Sequence, residues 1–280
     1  MDSLAPAAVP VKLYDAHNHL QDQRLAAHYH AIFPALKAER IVKMVVNGSS
    51  EADWPAVLEL ARQYPTVLPS FGLHPWYVSK RSADWLKSLV AHLDAVPAGV
   101  GEIGLDRWIS GHDLPDQESV FLEQLSLAAE RNLPVSIHCL QAWGKLLELL
   151  QTAPRPRCGF VLHSFGGPQE MIPRLTELGA YFSFPGYFAL PRKSSQRVAF
   201  RRVPAERLLI ETDAPDQLLP ENLIGYPLFD ERTGKAINHP ANLGAVYRFV
   251  AALLAQPLEK LSSQVEENFQ RLFQIRDPDS

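Results

Sequence analysis

The chain has 280 residues, 46% of them hydrophobic and 21% charged, which excludes a disordered polypeptide and leaves enough apolar surface for a sizeable core. That length is close to the roughly 250 residues of one α/β barrel, so a single domain over residues 1–280 is expected. With 27 basic against 31 acidic residues and a pI near 6.2, bulk electrostatics cannot hold the chain on nucleic acid or an anionic membrane, and a polyanionic substrate must be gripped locally.

Residues 1–10 show neither the basic start nor the apolar stretch of an export signal, and apolar runs such as residues 249–255 fall short of the ~20 residues that span a bilayer. Two cysteines, Cys139 and Cys158, are too few for a disulfide framework. A cytoplasmic protein with no membrane anchor and no obligate protein partner is expected.

Eight short apolar runs recur along the chain, at residues 12–17, 41–47, 67–73, 99–103, 133–138, 159–163, 179–184 and 207–212. Each has the length and composition of a strand buried on both faces, as in a parallel sheet. Between the runs lie amphipathic stretches: residues 121–130 put Phe121, Leu122, Leu125, Ala128 and Ala129 on one helical face, and residues 143–150 repeat the pattern. Strands alternating with helices, closed by a final helical region at residues 243–273, predict a (β/α)8 TIM-like barrel of the α/β class. Residues 215–240 follow the eighth run without clear periodicity, and a long irregular loop there is expected over the active-site mouth.

Barrels of this kind carry their chemistry at the carboxyl ends of the strands, so the residues that close each run matter most. The first run ends in Asp15-Ala16-His17-Asn18-His19, and two imidazoles two residues apart on extended chain project to the same side, as a metal ion requires. Glu102, His138, His163 and Asp213 end four further runs. Four histidines and two carboxylates converging on one mouth are enough for two divalent ions. Histidine-rich ligation suits Zn2+, while the carboxylates and a phosphate substrate also suit Mg2+ or Mn2+.

Gly72-Leu73-His74-Pro75, Gly101-Glu102-Ile103-Gly104-Leu105-Asp106, Leu162-His163-Ser164-Phe165-Gly166-Gly167, Glu211-Thr212-Asp213-Ala214-Pro215 and the motifs around His17, His138 and Asn268 resemble, in order and over nearly the whole chain, the TatD family of metal-dependent hydrolases. The resemblance implies a TIM-like barrel of the amidohydrolase type and an enzyme that commonly acts as a magnesium- or zinc-dependent deoxyribonuclease. Carried over position by position, His17, His19 and Asp213 would hold one metal, His138 and His163 the second, and Glu102 would bridge them. The chain departs from the family pattern at Asn238-His239-Pro240, where Asn-Glu-Pro is usual, at Cys139-Leu140-Gln141 after His138, where an arginine often stands, and at Arg107-Trp108, where a tyrosine pair is usual. These departures bear on substrate preference and remove no ligand.

Two cations about 3.5 to 4 Å apart clamp a phosphodiester and supply hydroxide near neutral pH. Asp213, with Glu102 between the ions, is the expected general base. His74 is a candidate donor to a phosphate oxygen, Trp108 a candidate stacking surface for a base, and Arg192, with Lys193, a candidate phosphate contact. The expected activity is a 3′–5′ exodeoxyribonuclease on single-stranded DNA or another phosphodiester; metal-assisted ester or amide hydrolysis, such as deacylation of D-aminoacyl-tRNA, is the alternative.

Overall fold

The computed structural model describes residues 11–111 and 113–274, so the expectation for residues 1–10 lies outside it. Eight parallel strands follow one another round a single sheet: β1 (Leu13–Asn18), β2 (Ile41–Asn47), β3 (Val67–Phe71), β4 (Gly99–Asp106), β5 (Val135–Leu140), β6 (Phe160–Leu162), β7 (Ala180–Pro185) and β8 (Leu208–Glu211). Helices return the chain between them: α1 (Gln23–Ala26), α2 (Tyr29–Ala38), α3 (Trp54–Gln63), α4 (Trp85–Ala95), α5 (Leu114–Arg131), α6 (Trp143–Thr152), α7 (Ile172–Glu177) and α8 (Ser194–Phe200), followed by α9 (Leu243–Leu253) and α10 (Leu258–Phe273). This is the expected (β/α)8 barrel. Among the described residues no helix is long and apolar enough to cross a membrane, and both cysteines are free.

Period-two alternation decides which side chains enter the barrel. On β1, Tyr14 faces outward, its ring 5.0 Å from that of Phe269 and its hydroxyl donating to Glu266 at 2.5 Å, both on α10. Asp15 and His17 therefore face inward with Leu13. The same rule turns Ser136 and His138 of β5, Ser183 of β7 and Glu211 of β8 to the interior, and all of them are buried. A barrel interior this polar at its carboxyl end is a site rather than a core.

The ring closes at that same end. No ladder joins β8 to β1 among the described residues, but Asp213 N–H donates to His17 O at 3.0 Å, His19 N–H to Ala214 O at 2.8 Å and Thr212 N–H to the Asp15 carboxylate at 3.0 Å. Helix α5 pins two further strand ends. Its Gln124 side chain accepts from Leu73 N–H and donates to Leu73 O, and Gln117 does the same to Asp106, which fixes the loops carrying His74 and Trp108. Between β4 and β5, Gly104 has φ 151°, and a Cβ there would fall 1.9 Å from His138 O, so only glycine lets the two strands approach where Glu102 meets His138.

Three expectations are corrected. Strand β4 runs three residues beyond Ile103, to Asp106. Residues 215–240 are not irregular throughout, because β9 (Pro227–Phe229) and β10 (Ala236–Asn238) pair as an antiparallel hairpin. The final helical region is two helices, broken where Ala255 takes a positive φ and Pro257, which lacks an N–H, caps α10.

Candidate metal centre

The six side chains expected at the mouth come together around one carboxylate. Glu102 Oε2 lies 3.5 Å from His17 Nε2 and 3.3 Å from His19 Nε2, and Asp213 Oδ1 lies 3.6 Å from each of the same nitrogens. The other Glu102 oxygen, Oε1, lies 2.8 Å from His163 Nε2 and 3.1 Å from His138 Nδ1. The two oxygens of one buried glutamate are thus divided between two histidine pairs.

Partners on the far side of each ring set its tautomer. His19 Nδ1 faces the Asn47 carbonyl oxygen at 2.8 Å, and His138 Nε2 faces Asp106 Oδ2 at 2.9 Å. Both partners only accept, so each of those nitrogens carries a proton, and the opposite nitrogen is the one that meets Glu102, through a second proton when the ring is charged and through a lone pair when a cation takes that proton's place. His17 differs: its Nδ1, 2.9 Å from Ser136 Oγ, accepts from Asn47 Nδ2 at 3.1 Å, which leaves the proton of a neutral ring on Nε2. His17 Nε2 and His19 Nε2 then face each other at 3.3 Å, and Glu102 Oε1 makes no directed hydrogen bond despite its short approaches. Two buried carboxylates and four imidazoles crowded this closely fit divalent cations in place of the protons they otherwise share, with Nε2 of His17 and His19 and Asp213 Oδ1 on one side of Glu102 and Nδ1 of His138 and Nε2 of His163 on the other.

The electrostatics agree. Burial opposes the charge on Glu102, yet the imidazoles of His163, His74 and His17 hold it well below the usual carboxylate range. Burial also opposes a charge on His19, but Glu102 and Asp213 carry it up to about 9. Burial pushes His17 down to about 4 and lifts Asp213 to about 7. Positive charge is drawn to the space between these groups.

His74 behaves differently. Its Nδ1 accepts the Trp76 backbone N–H at 3.1 Å, which leaves the proton on Nε2, 3.6 Å from Glu102 Oε1. In that form it is a donor facing the site.

A cavity of about 690 Å³ opens above these groups, lined by His19, His74, Glu102, His138, His163 and Asp213. Trp108 stands on its rim, 64% exposed, beside Trp76, whose indole donates to Asp106 at 2.7 Å. Arg192 is not among the lining residues: its guanidinium sits over the Tyr187 ring at 4.9 Å and donates to the Tyr187 hydroxyl at 2.6 Å. The guanidiniums at the cavity belong to Arg24 and Arg232. Sequence reasoning missed Arg24, Gln217 and Asp106. Asp106 was within reach, since it continues the alternation of Glu102 and Gly104 on β4.

Residues 14–274 match the family model described as TatD related DNase. The chain is 28% identical over 266 residues to the uncharacterized metal-dependent hydrolase YabD of Bacillus subtilis (strain 168), covering 94% of this chain and 99% of that one. It is 31% identical over 235 residues to the 3′-5′ ssDNA/RNA exonuclease TatD of Escherichia coli (strain K12), covering 83% and 87%. The crystal structure of YjjV, a TatD homolog from Escherichia coli K12, superposes with a TM-score of 0.85 at 28% identity, over 96% of this chain and 100% of that one. Matched from its first barrel strand to its last helix, the chain belongs to the TatD related DNase family of metal-dependent hydrolases.

Proposed function

We propose that this enzyme is a two-metal phosphodiesterase that shortens single-stranded DNA stepwise from an exposed 3′ end. The observation that carries the reading is the division of the Glu102 oxygens, one towards His17 and His19 and the other towards His138 and His163. Bound there, two divalent ions, Mg2+, Zn2+ or Mn2+, would polarise the phosphate and acidify a coordinated water. The chain's own groups do the rest. Asp213 Oδ1 takes the proton of the attacking water, His74 Nε2–H donates to a non-bridging phosphate oxygen, and Trp108 stacks on a base at the rim. The recessed cavity admits a chain end more readily than a continuous strand.

Deacylation of an aminoacyl ester is a second reading, favoured by one observation. Away from the histidines the lining holds three carboxylates, Asp22, Asp53 and Asp216, against the two guanidiniums of Arg24 and Arg232, an acidic balance that suits the ammonium group of an aminoacyl substrate better than a second phosphate. The test offers single-stranded DNA with a free 3′ end, the same DNA with a blocked 3′ end, and a D-aminoacyl-tRNA at equal concentration with Mg2+ or Zn2+. We expect the free end to be cut and the blocked strand to survive. A kcat/KM for deacylation tenfold or more above that for DNA, about 1.4 kcal/mol in transition-state terms, overturns the nuclease in favour of the deacylase.

A further inference from the structure

Behind Asp213 runs a chain of hydrogen bonds that ends beneath His163. Gln217 Nε2 donates to Asp213 Oδ2 at 2.5 Å and to Ser164 Oγ at 2.7 Å. Ser164 in turn donates its hydroxyl at 2.5 Å and its backbone N–H at 2.8 Å to Glu211 Oε1, and Glu211 Oε2 accepts from the Ser183 hydroxyl. Glu211 Oε1 lies 3.7 Å from His163 Nδ1, a nitrogen with no hydrogen-bond partner of its own.

With Asp213 ionised, as a metal ligand is, the direction of every bond in this chain is fixed. Ser164 spends its only hydroxyl proton on Glu211, so its oxygen accepts from Gln217. Asp213, when ionised, accepts only. Both partners of residue 217 therefore need a donor, and a primary amide supplies two from one nitrogen. A carboxylate would supply none. The backbone bears on the same point: Ser164, Asp213 and Gln217 have φ of 45°, 53° and 50°, the left-handed region that L residues avoid. Such conformations persist where the surroundings over-determine them, and three members of one hydrogen-bonded chain share them.

We infer that Gln217, braced by Ser164, is a positioning residue that holds Asp213 Oδ2 so that Oδ1 stays turned towards His17 and His19, and that it thereby sets the affinity of this half of the centre for a divalent cation. It touches neither water nor substrate in this role. The inference rests on Asp213 being a ligand, and the experiment tests that premise separately.

The metal-free chain is titrated with Mn2+ by calorimetry, with free Mn2+ followed by electron paramagnetic resonance, for the parent and for Asp213→Asn, Gln217→Met, Ser164→Ala and the Gln217→Met/Ser164→Ala pair. Gln217→Met keeps the length of the side chain and removes both donors. We expect Asp213→Asn and Gln217→Met each to weaken one class of Mn2+ site at least tenfold, in the range found for groups that orient metal ligands. Ser164→Ala should weaken it less, and the pair should be no more than twofold weaker than Gln217→Met, because Ser164 acts through Gln217. Weakening by Asp213→Asn with Gln217→Met within twofold of the parent overturns the inference and leaves the ligand standing. No weakening by Asp213→Asn removes the ligand and the inference with it. A lowered Tm with unchanged Mn2+ affinity is what a merely structural role would produce, and counts against positioning. Should Gln217→Met not fold, Gln217→Asn, which keeps the amide one methylene short of Asp213, is read on the same scale.

Discussion

The Asp15 carboxylate takes both donors of Thr212, the backbone N–H at 3.0 Å and the hydroxyl at 2.6 Å, across the seam where β8 meets β1. One residue further on, Asp213 N–H meets His17 O at 3.0 Å, so the bond that closes the barrel also sets the spacing of two of the side chains around Glu102. Thr212→Val keeps the shape and leaves Asp15 Oδ2 without its hydroxyl donor. A lost hydrogen bond to a buried carboxylate should cost about 1.5 to 3 kcal/mol in chemical denaturation, with m unchanged. Metal affinity should fall in the same variant. An unchanged denaturation midpoint would show that the seam is held by something else.

His17→Ala combined with His19→Ala should abolish hydrolysis and lower the metal content while leaving the far-ultraviolet circular dichroism intact. Both rings lie at the carboxyl end of the barrel, and barrel stability resides in the strand core and the opposite face. Elemental analysis decides it. Unchanged metal content and turnover would remove the two-metal site.

Glu102→Gln should harm activity more than His163→Ala does. Glu102 reaches both histidine pairs, whereas His163 Nε2 reaches the centre on the Oε1 side alone, where water can partly replace an imidazole. Titration with excess Mn2+ separates the two roles: it should restore part of the activity of His163→Ala and little of Glu102→Gln. The reverse pattern would mean that the bridge is assigned to the wrong residue.

The barrel and its central histidines and carboxylates were legible because both follow from position along strands. Apolar runs locate the strands, and the residue that closes a strand faces the mouth. Asp106 fell outside the expected strand because Gly104 and an acidic residue read as its end, although Glu102, Gly104 and Asp106 keep one alternation. The hairpin of β9 and β10 has three residues in each strand, too few for a period of two to show. Gln217 carries no local signal at all. Its importance depends on Ser164, 53 residues away, having already committed its proton to Glu211. Arg192 follows β7 as expected, but the Tyr187 ring beside it takes its guanidinium.

His239, one of the departures from the family pattern, gives a prediction of a different kind. It is buried, stacked on Tyr226 with ring centroids 5.3 Å apart, and its Nδ1 accepts from Ala241 N–H at 2.9 Å. It is not among the residues lining the cavity. Burial, with the nearby His28, pushes it down to about 4 from the ordinary 6.5. Between those values the unfolded chain binds a proton that the folded chain does not, so stability rises with pH across this window and is lost as pH falls from 6.5 towards 4. The whole contribution is at most about 3 kcal/mol. His239→Gln should flatten the stability profile between these pH values and leave kcat/KM for DNA near the parent. A profile as steep as the parent's would place the titration elsewhere.

The dependence of binding on salt tests how a chain of net charge −4 holds a polyanion. At the cavity, Arg24 is committed to Asp22 and Asp216, and Arg232, largely exposed, lies 3.7 Å from Asp230. Few cations are free to replace the counterions of a strand, so contact should be confined to about two or three phosphates. For a single strand each contributes a slope of about −0.7 in log K against log salt, so the parent should show about −1.5 to −2. Arg232→Ala should reduce the steepness by about 0.7. The remainder of the affinity should come from stacking and resist salt: Trp108→Ala should cost about 1 to 3 kcal/mol of binding at every salt concentration and leave the slope unchanged. Fluorescence anisotropy with a labelled single strand, on the metal-free chain so that nothing is cut, reads both quantities. A parent slope steeper than about −4 would mean that the strand also runs over cations outside the mouth, and the picture of a recessed site gripping a chain end by a few phosphates and one base would have to be given up.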